Sequence, residues 1–434
     1  MERDRFYTQD ISGVFKSGAI IEDEFYSYLS QNIDLIGKTR DAFAVSMLIE
    51  EMYNENVEYI IKSKNDIIKR AKLDNLEFTV VVIGIGGSTL GIDAITSVSL
   101  LSRMRFISNI DPDSILSILD DLDLERTIFF IVSKSGNTLE TVIQSHLVIN
   151  YIASKSSISI SDHFVAITSD TDNDIKRLAL AQGIEIYIWP NGVGGRFSVF
   201  CISTLLPLAV VGLDIYPMKK VLSNIHYHFD LSYSDIRDPS CLSSFKSAII
   251  YHMLYKRGFN SSVIMPYADK LKMLGMWYRQ IFAESLGKNE YGMMPSVSIG
   301  TIDQHSMLEL YLGGKRDKLL TIIKSKSSKR IGFQNILNAN ISLKISDGVD
   351  VRDMICEACD ATMESLVLNN CPVMGIELHE QTHDAILSLM CHFTFEVIFI
   401  SSIASRDLNL DINPFNQPNV DKSKIIMLNK MSSL

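Results

Sequence analysis

Residues 127–141 read Thr127-Ile128-Phe129-Phe130-Ile131-Val132-Ser133-Lys134-Ser135-Gly136-Asn137-Thr138-Leu139-Glu140-Thr141. An unbroken apolar run gives way to four hydroxyls, one glycine and one lysine. The run reads as a strand buried on both faces, and residues 139–152 read as a helix. The junction is therefore a strand end facing a helix N-terminus. Unpaired N–H groups and the positive end of the helix dipole make such a junction attractive to anions. A helix needs only one hydroxyl as an N-cap. Four hydroxyls and a glycine favour phosphate binding over capping alone.

The pattern repeats outward from this stretch. Apolar runs at 79–83, 105–109, 164–168 and 185–189 alternate with helical segments. A second series begins at 261–265 and continues at 319–324 and 372–377. Strands this apolar, separated by helices, predict mainly parallel sheets in an α/β chain. The expected organisation is a helical N-terminal arm over 1–69 and an α/β domain over 70–225. A linker at 226–241, a second α/β domain at 242–404 and a tail at 405–434 follow. Residues 1–70 show helical periodicity and no strong strand.

The chain has 434 residues, 47% of them hydrophobic and 21% charged, which suits folded domains with sizeable cores. Its net charge of −10, without a basic run, argues against nucleic acid and anionic membranes as partners. The N-terminus carries no apolar segment, so no signal peptide is expected. The apolar segment 385–404 contains His392 and Glu396 and reads as a buried helix rather than a membrane span. Six scattered cysteines, Cys201, Cys241, Cys356, Cys359, Cys371 and Cys391, suit a reducing cytoplasm. Cys356 and Cys359 have redox spacing, but they lie in a helical stretch without a second pair, so core packing is expected.

Ligands of open α/β sheets bind beyond the carboxyl ends of the strands. Gly84-Ile85-Gly86-Gly87-Ser88-Thr89 is one such end. It resembles a dinucleotide fingerprint, and Asp111 stands roughly where a ribose-binding acid would. The third glycine is missing, however. Two phosphate-compatible loops on neighbouring strands fit one small phosphorylated metabolite better.

Other clusters carry charge. Arg196 follows Gly194-Gly195 and enters a nearly apolar segment, so it is either paired or functional. Glu284 ends an apolar helical run over 270–283, as a base with a raised pKa or as a solvated helix end. His305, after Gly300-Thr301-Ile302-Asp303-Gln304, is a titrating group or a first-turn capping residue. His379-Glu380-Gln381-Thr382-His383 matches the zinc-protease pattern. It follows a strand directly, with the helix starting near Thr382, and lacks a plausible third ligand. No metal is expected there.

Together these motifs resemble the glucose-6-phosphate isomerase family. The residues concerned are 84–91, 133–141, 194–198, 283–288 and 300–305, with the tail Asn413-Pro-Phe-Asn-Gln-Pro-Asn-Val-Asp-Lys-Ser-Lys424. The resemblance runs from about residue 79 to 424 and implies two sugar-isomerase (SIS) domains. It implies interconversion of glucose 6-phosphate and fructose 6-phosphate, in glycolysis and gluconeogenesis, without a cofactor. It assigns Ser88, Ser133, Lys134 (through its backbone), Ser135 and Thr138 to the phosphate. It further implies that Gly87, Gln280 and Gln417 contact the sugar, that Arg196 lies beside the enediolate and that Glu284 is the base. By the same resemblance His305 of the partner subunit in a homodimer assists ring opening, and Lys424 lies near the ring oxygen. In the tail, Asn419 and Ser423 stand where glycine is usual and Lys422 is an additional lysine. A non-catalytic sugar-phosphate sensor and an isomerase also acting on mannose 6-phosphate are the alternatives.

Overall fold

The protein is described by a computed structural model over residues 6–54, 57–73, 77–98, 103–223, 225–229, 236–238, 242–325 and 351–431. The linker expected at 226–241 and Cys241 fall largely or wholly outside these residues.

Two five-stranded sheets organise the chain. The first contains β2 (Thr79–Ile83), β3 (Met104–Ile107), β4 (Thr127–Ser133), β5 (Phe164–Thr168) and β6 (Glu185–Ile188). Its order is β3-β2-β4-β5-β6 and every pairing is parallel. The second contains β1 (Tyr7–Asp10), β7 (Ser261–Pro266), β8 (Met294–Val297), β9 (Lys318–Ser325) and β10 (Val373–Leu378). Its order is β1-β10-β9-β7-β8, parallel except for the antiparallel edge strand β1.

β4 shows why the first sheet forms. All seven of its residues are buried. Ile128, Phe130 and Val132 face a core shared with the second half of the chain, while Phe129 and Ile131 face a separate core on the other side. Successive side chains of a strand point to opposite faces, so a continuous apolar run is what a doubly covered sheet requires. The shared core also takes in Trp277 and Ile281 of the helix Lys272–Leu286 and Phe395 and Phe399 of the helix His383–Leu408. The latter has the length and apolarity to cross a membrane, but 89% of its most apolar window is buried inside the fold. It is the core helix that the polar positions His392 and Glu396 suggest.

Two strands depart from the sequence reading. β1 lies in a region read as helical, without a strong strand. As a four-residue edge strand with alternating half-buried and exposed positions it has no apolar run to betray it. β8, also four residues long, carries an exposed Met294 and a proline. The helix expected to end at 283 runs on to Leu286, which places Glu284 inside its last turn.

Candidate active site

β4 ends at Ser133 and the helix Leu139–Lys155 begins after Thr138. Thr138 occupies the N-cap in an extended conformation, yet its side chain makes no capping hydrogen bond. Its hydroxyl instead lies 3.4 Å from Ser133 Oγ and 3.3 Å from Ser135 Oγ. The backbone N–H groups of Gly136 and Asn137 donate to Ser133 and Ser135 at 3.2 and 3.3 Å. Three hydroxyls therefore converge at a helix N-terminus with one of them freed from capping, an arrangement suited to phosphate oxygens. Thr141, the fourth hydroxyl, is buried within the helix.

The loop is braced from the next strand. Gly136 has a φ of 63°, and a Cβ there would lie 1.8 Å from Asn173 Oδ1. That oxygen caps the helix Asp174–Gln182 by accepting from the Lys176 N–H at 2.8 Å. Asn137 Oδ1 accepts from the Asp174 N–H at 2.9 Å.

The glycine-rich end of β2 turns through the short 3-10 segment Gly86–Ser88. It meets a second 3-10 segment, Gly195–Phe200. A Cβ on Gly87 would stand 2.4 Å from the Gly195 carbonyl carbon. Ser198 Oγ donates to the Gly87 carbonyl at 3.3 Å. Only glycine lets these two backbones meet so closely, and the contact brings Arg196 beside the loop.

Arg196 is buried and joins three distant parts of the chain. Its Nε donates to Ser285 Oγ at 2.9 Å, and its Nη1 donates to Glu284 Oε2 at 3.1 Å and Gln417 Oε1 at 2.8 Å. Its Nη2 donates to the carbonyls of Pro414 and Asn416, the latter at 2.9 Å. Burial pulls its pKa below the ordinary value, and the Glu284 carboxylate works against that. Of the two readings left open for Arg196, the structure shows the paired one, with Glu284 as its partner.

Glu284 Oε1 accepts from Gln280 Nε2 at 2.9 Å, one helical turn away. Both carboxylate oxygens are thus held, while the side chain keeps 32% of its surface exposed. A carboxylate fixed from behind and open in front is placed to take a proton from a bound molecule. Lys134 is exposed. Its pKa is lowered by partial desolvation and by the Arg196 charge.

His305 does not join this cluster. It is exposed, at the end of the 3-10 turn Ile302–Gln304, and its imidazole has no hydrogen-bond partner among the described residues. Gly300 donates to the Pro266 carbonyl, so the chain after β8 lies at the carboxyl end of β7. The helix Lys272–Leu286 starts from that end and runs back toward the start of β8. Glu284 therefore sits about 18 Å further along the helix axis, at 1.5 Å per residue from Lys272. Lys424 is exposed on the helix Asp421–Met431, as is Lys422. His379 follows β10 and His383 opens the next helix, with Thr382 as its N-cap. They are not an i, i+4 pair on one helix, as the zinc-protease chemistry requires. Cys359 is buried in the interior of the helix Val351–Leu368, as core packing requires.

A family model described as phosphoglucose isomerase matches residues 70–311. The chain belongs to the phosphoglucose isomerase family. A relative named glucose-6-phosphate isomerase, from Methanocaldococcus jannaschii, is 36% identical over 91% of this chain and 94% of its own. The crystal structure of a glucose-6-phosphate isomerase from Chlamydia trachomatis superposes with a TM-score of 0.76 at 21% identity, covering 99% of this chain and 89% of that one. A tagatose-6-phosphate ketose/aldose isomerase from Escherichia coli shares the fold at a TM-score of 0.52 and 11% identity, covering 82% and 90% of the two chains. The architecture is that of two SIS-type α/β units.

Within that family frame, sequence reasoning missed Asn173, Ser285, Lys288 and the tail carbonyls of Pro414 and Asn416. Ser285 and Lys288 stood inside a quoted motif, but neither type announces a role alone. Backbone carbonyls carry no sequence signal. Asn173, ahead of a helical run, is readable as an N-cap, though not as the brace of a loop 36 residues earlier.

Proposed function

We propose that this chain interconverts glucose 6-phosphate and fructose 6-phosphate through a cis-enediol(ate), with Glu284 as the base. The observation that carries this reading is the Glu284 carboxylate, held by Arg196 and Gln280 and open on its remaining side. The membership of the family and the naming of its relatives support the same activity.

The phosphate docks on Ser133, Ser135 and Thr138 at the helix N-terminus, with Ser88 and the Lys134 backbone beside them. Being remote from the bonds that change, it lends its binding energy to positioning C1 and C2. Glu284 removes the C2 proton of the open-chain aldose. Electron density moves onto the C1 oxygen, and the Arg196 guanidinium offsets the growing charge. A proton passes from the C2 hydroxyl to the C1 oxygen, the same carboxyl returns its own proton at C1, and the ketose, with its carbonyl at C2, results. Gln280, Gln417 and the Gly87 backbone hold sugar hydroxyls. One carboxylate shuttling one proton requires neither a metal nor a redox group.

Ring opening needs a proton at the ring oxygen, and His305 with Lys424 supply that function. The separation of His305 from Glu284 along the helix supports a homodimer in which His305 of the partner subunit completes each site. Exposed Ile302 and Leu310 flank His305, at 62% and 48% of their surface, as a subunit contact would require. Among the described residues, the cysteines at 356, 359, 371 and 391 form no disulfide, which favours a cytoplasmic setting. A sugar-phosphate sensor would keep the hydroxyl loop without needing Arg196, Gln280 and Glu284 to converge.

The test is a coupled assay that follows glucose 6-phosphate formed from fructose 6-phosphate, with mannose 6-phosphate as the comparison. Turnover of fructose 6-phosphate is the expected result. Binding without turnover would replace the enzyme with the sensor.

A further inference from the structure

The last turn of the helix Lys272–Leu286 has an unusual ending. Its final carbonyls need hydrogen-bond donors, as at any helix C-terminus. The commonest solution is a left-handed glycine just beyond the end. Gly287 follows here, but with φ −71° and ψ 68° it is not left-handed. The Lys288 ammonium folds back instead. Its Nζ donates to the Glu284 carbonyl at 2.5 Å and to the Ser285 carbonyl at 2.8 Å. Lys288 is buried, with 6% of its surface exposed.

Residues 284 and 285 are thus gripped between two cations. On the side-chain side, Arg196 holds the Glu284 carboxylate and the Ser285 hydroxyl. On the backbone side, Lys288 holds both carbonyls. A cation at this end of a helix also opposes the negative pole of the dipole.

We propose that Lys288 is a positioning residue for the isomerisation, acting through Glu284. It fixes the backbone from which the base reaches the substrate carbons. The inference rests on the isomerase reading above. Two charged groups face its ammonium, Arg196 from the 3-10 segment Gly195–Phe200 and Glu284 from the helix whose end it caps. Desolvation lowers the Lys288 pKa to about 8, the Arg196 charge adds to this, and Glu284 opposes it. A lysine depressed to this value is a cation below about pH 8 and neutral above it. Neutralisation weakens both carbonyl hydrogen bonds, because charged donors bind more strongly than neutral ones. Turnover therefore declines as pH rises through this region, and KM changes little, since no substrate group is contacted.

The experiment compares the wild type with Lys288→Met and Lys288→Arg across pH 6 to 10, approximately the range that brackets the transition. Wild-type turnover of fructose 6-phosphate is measured first, because its absence would remove the isomerase reading itself. Given an active wild type, Lys288→Met is expected to lower kcat by about ten- to a hundredfold with KM within twofold. It should also lose the alkaline decline. Lys288→Arg, which stays charged, should recover part of kcat and carry the decline to higher pH. Folding of each variant is checked by its thermal transition, and Lys288→Arg serves if Lys288→Met does not fold. A folded Lys288→Met with near wild-type kcat, or a Lys288→Arg with an unmoved alkaline limb, would overturn the proposal.

Discussion

Arg196 Nη1 lies 3.1 Å from Glu284 Oε2, with the arginine buried and the carboxylate partly open to solvent. The pair joins a turn after the first sheet to a helix after the first strand of the second segment. A buried guanidinium needs this partner, and a base needs this orientation. Breaking one side leaves the other uncompensated.

Replacing Glu284 with glutamine keeps the shape and removes the proposed base. Turnover of fructose 6-phosphate should drop by roughly two to four orders of magnitude while phosphosugar binding persists. Steady-state kinetics together with calorimetric binding of the substrate check this. Near-normal turnover in the folded variant would reassign the base.

Ser135→Asp introduces a carboxylate next to Thr138, where the substrate dianion is expected. Like charges in contact repel, so KM for fructose 6-phosphate should rise by at least about tenfold while the effect on kcat is smaller. An unchanged KM would move the phosphate to another place.

The subunit composition of the site is open to a mixing experiment. Glu284→Gln and His305→Ala chains should each be nearly inactive alone. If each site combines Glu284 of one chain with His305 of the partner subunit, a mixed dimer has one intact site. Refolding equal amounts together should then restore about a quarter of wild-type activity for a closed two-fold dimer. No gain over the separate mutants, with heterodimers verified by native mass, would place His305 within its own site or outside catalysis.

Acid stability has a marker away from the site. Asp407 accepts hydrogen bonds from Lys256 at 2.7 Å, His252 at 2.9 Å and Tyr28 at 3.0 Å. Burial acts to raise its pKa, but these hydrogen bonds outweigh it and hold the carboxyl at about 2, against an ordinary 3.8. A depressed carboxyl stabilises the fold above its unfolded pKa, and that stability is lost as pH falls toward the folded value. Asp407→Asn should therefore cost about 2 kcal/mol at pH 7. The gap from the wild type should narrow between about pH 4 and 2. Thermal melts of both proteins at several pH values measure it, and a constant gap would contradict the assignment.

Much of this was legible in the chain. The first sheet could be read strand by strand, because a parallel strand covered on both faces must be apolar throughout. Ser133, Ser135 and Thr138 were legible because three hydroxyls exceed what a cap requires. Arg196, Gln280, Glu284 and Gln417 were reached through motif resemblance, and the fold brings all four together. β1 escaped because an edge strand with one half-exposed face has no signature distinct from a loop. Lys288 escaped because folding back onto helix carbonyls depends on the conformation of Gly287. The distance of His305 from Glu284 follows from the direction of one helix relative to two strands, which motif order does not encode.

β1 has one further consequence, for the order in which the protein is made. Tyr7 pairs with Leu378, and its hydroxyl meets His392, 385 residues downstream. β1 therefore leaves the ribosome long before its partner β10 is made. The five strands of the first sheet all lie between Thr79 and Ile188 and close among themselves much earlier. Contacts between distant segments form late because they must overcome loop-closure entropy. The edge of the second sheet is thus sealed only once β10 has been made, and until then β1 stays unpaired, its backbone open to any other chain within reach.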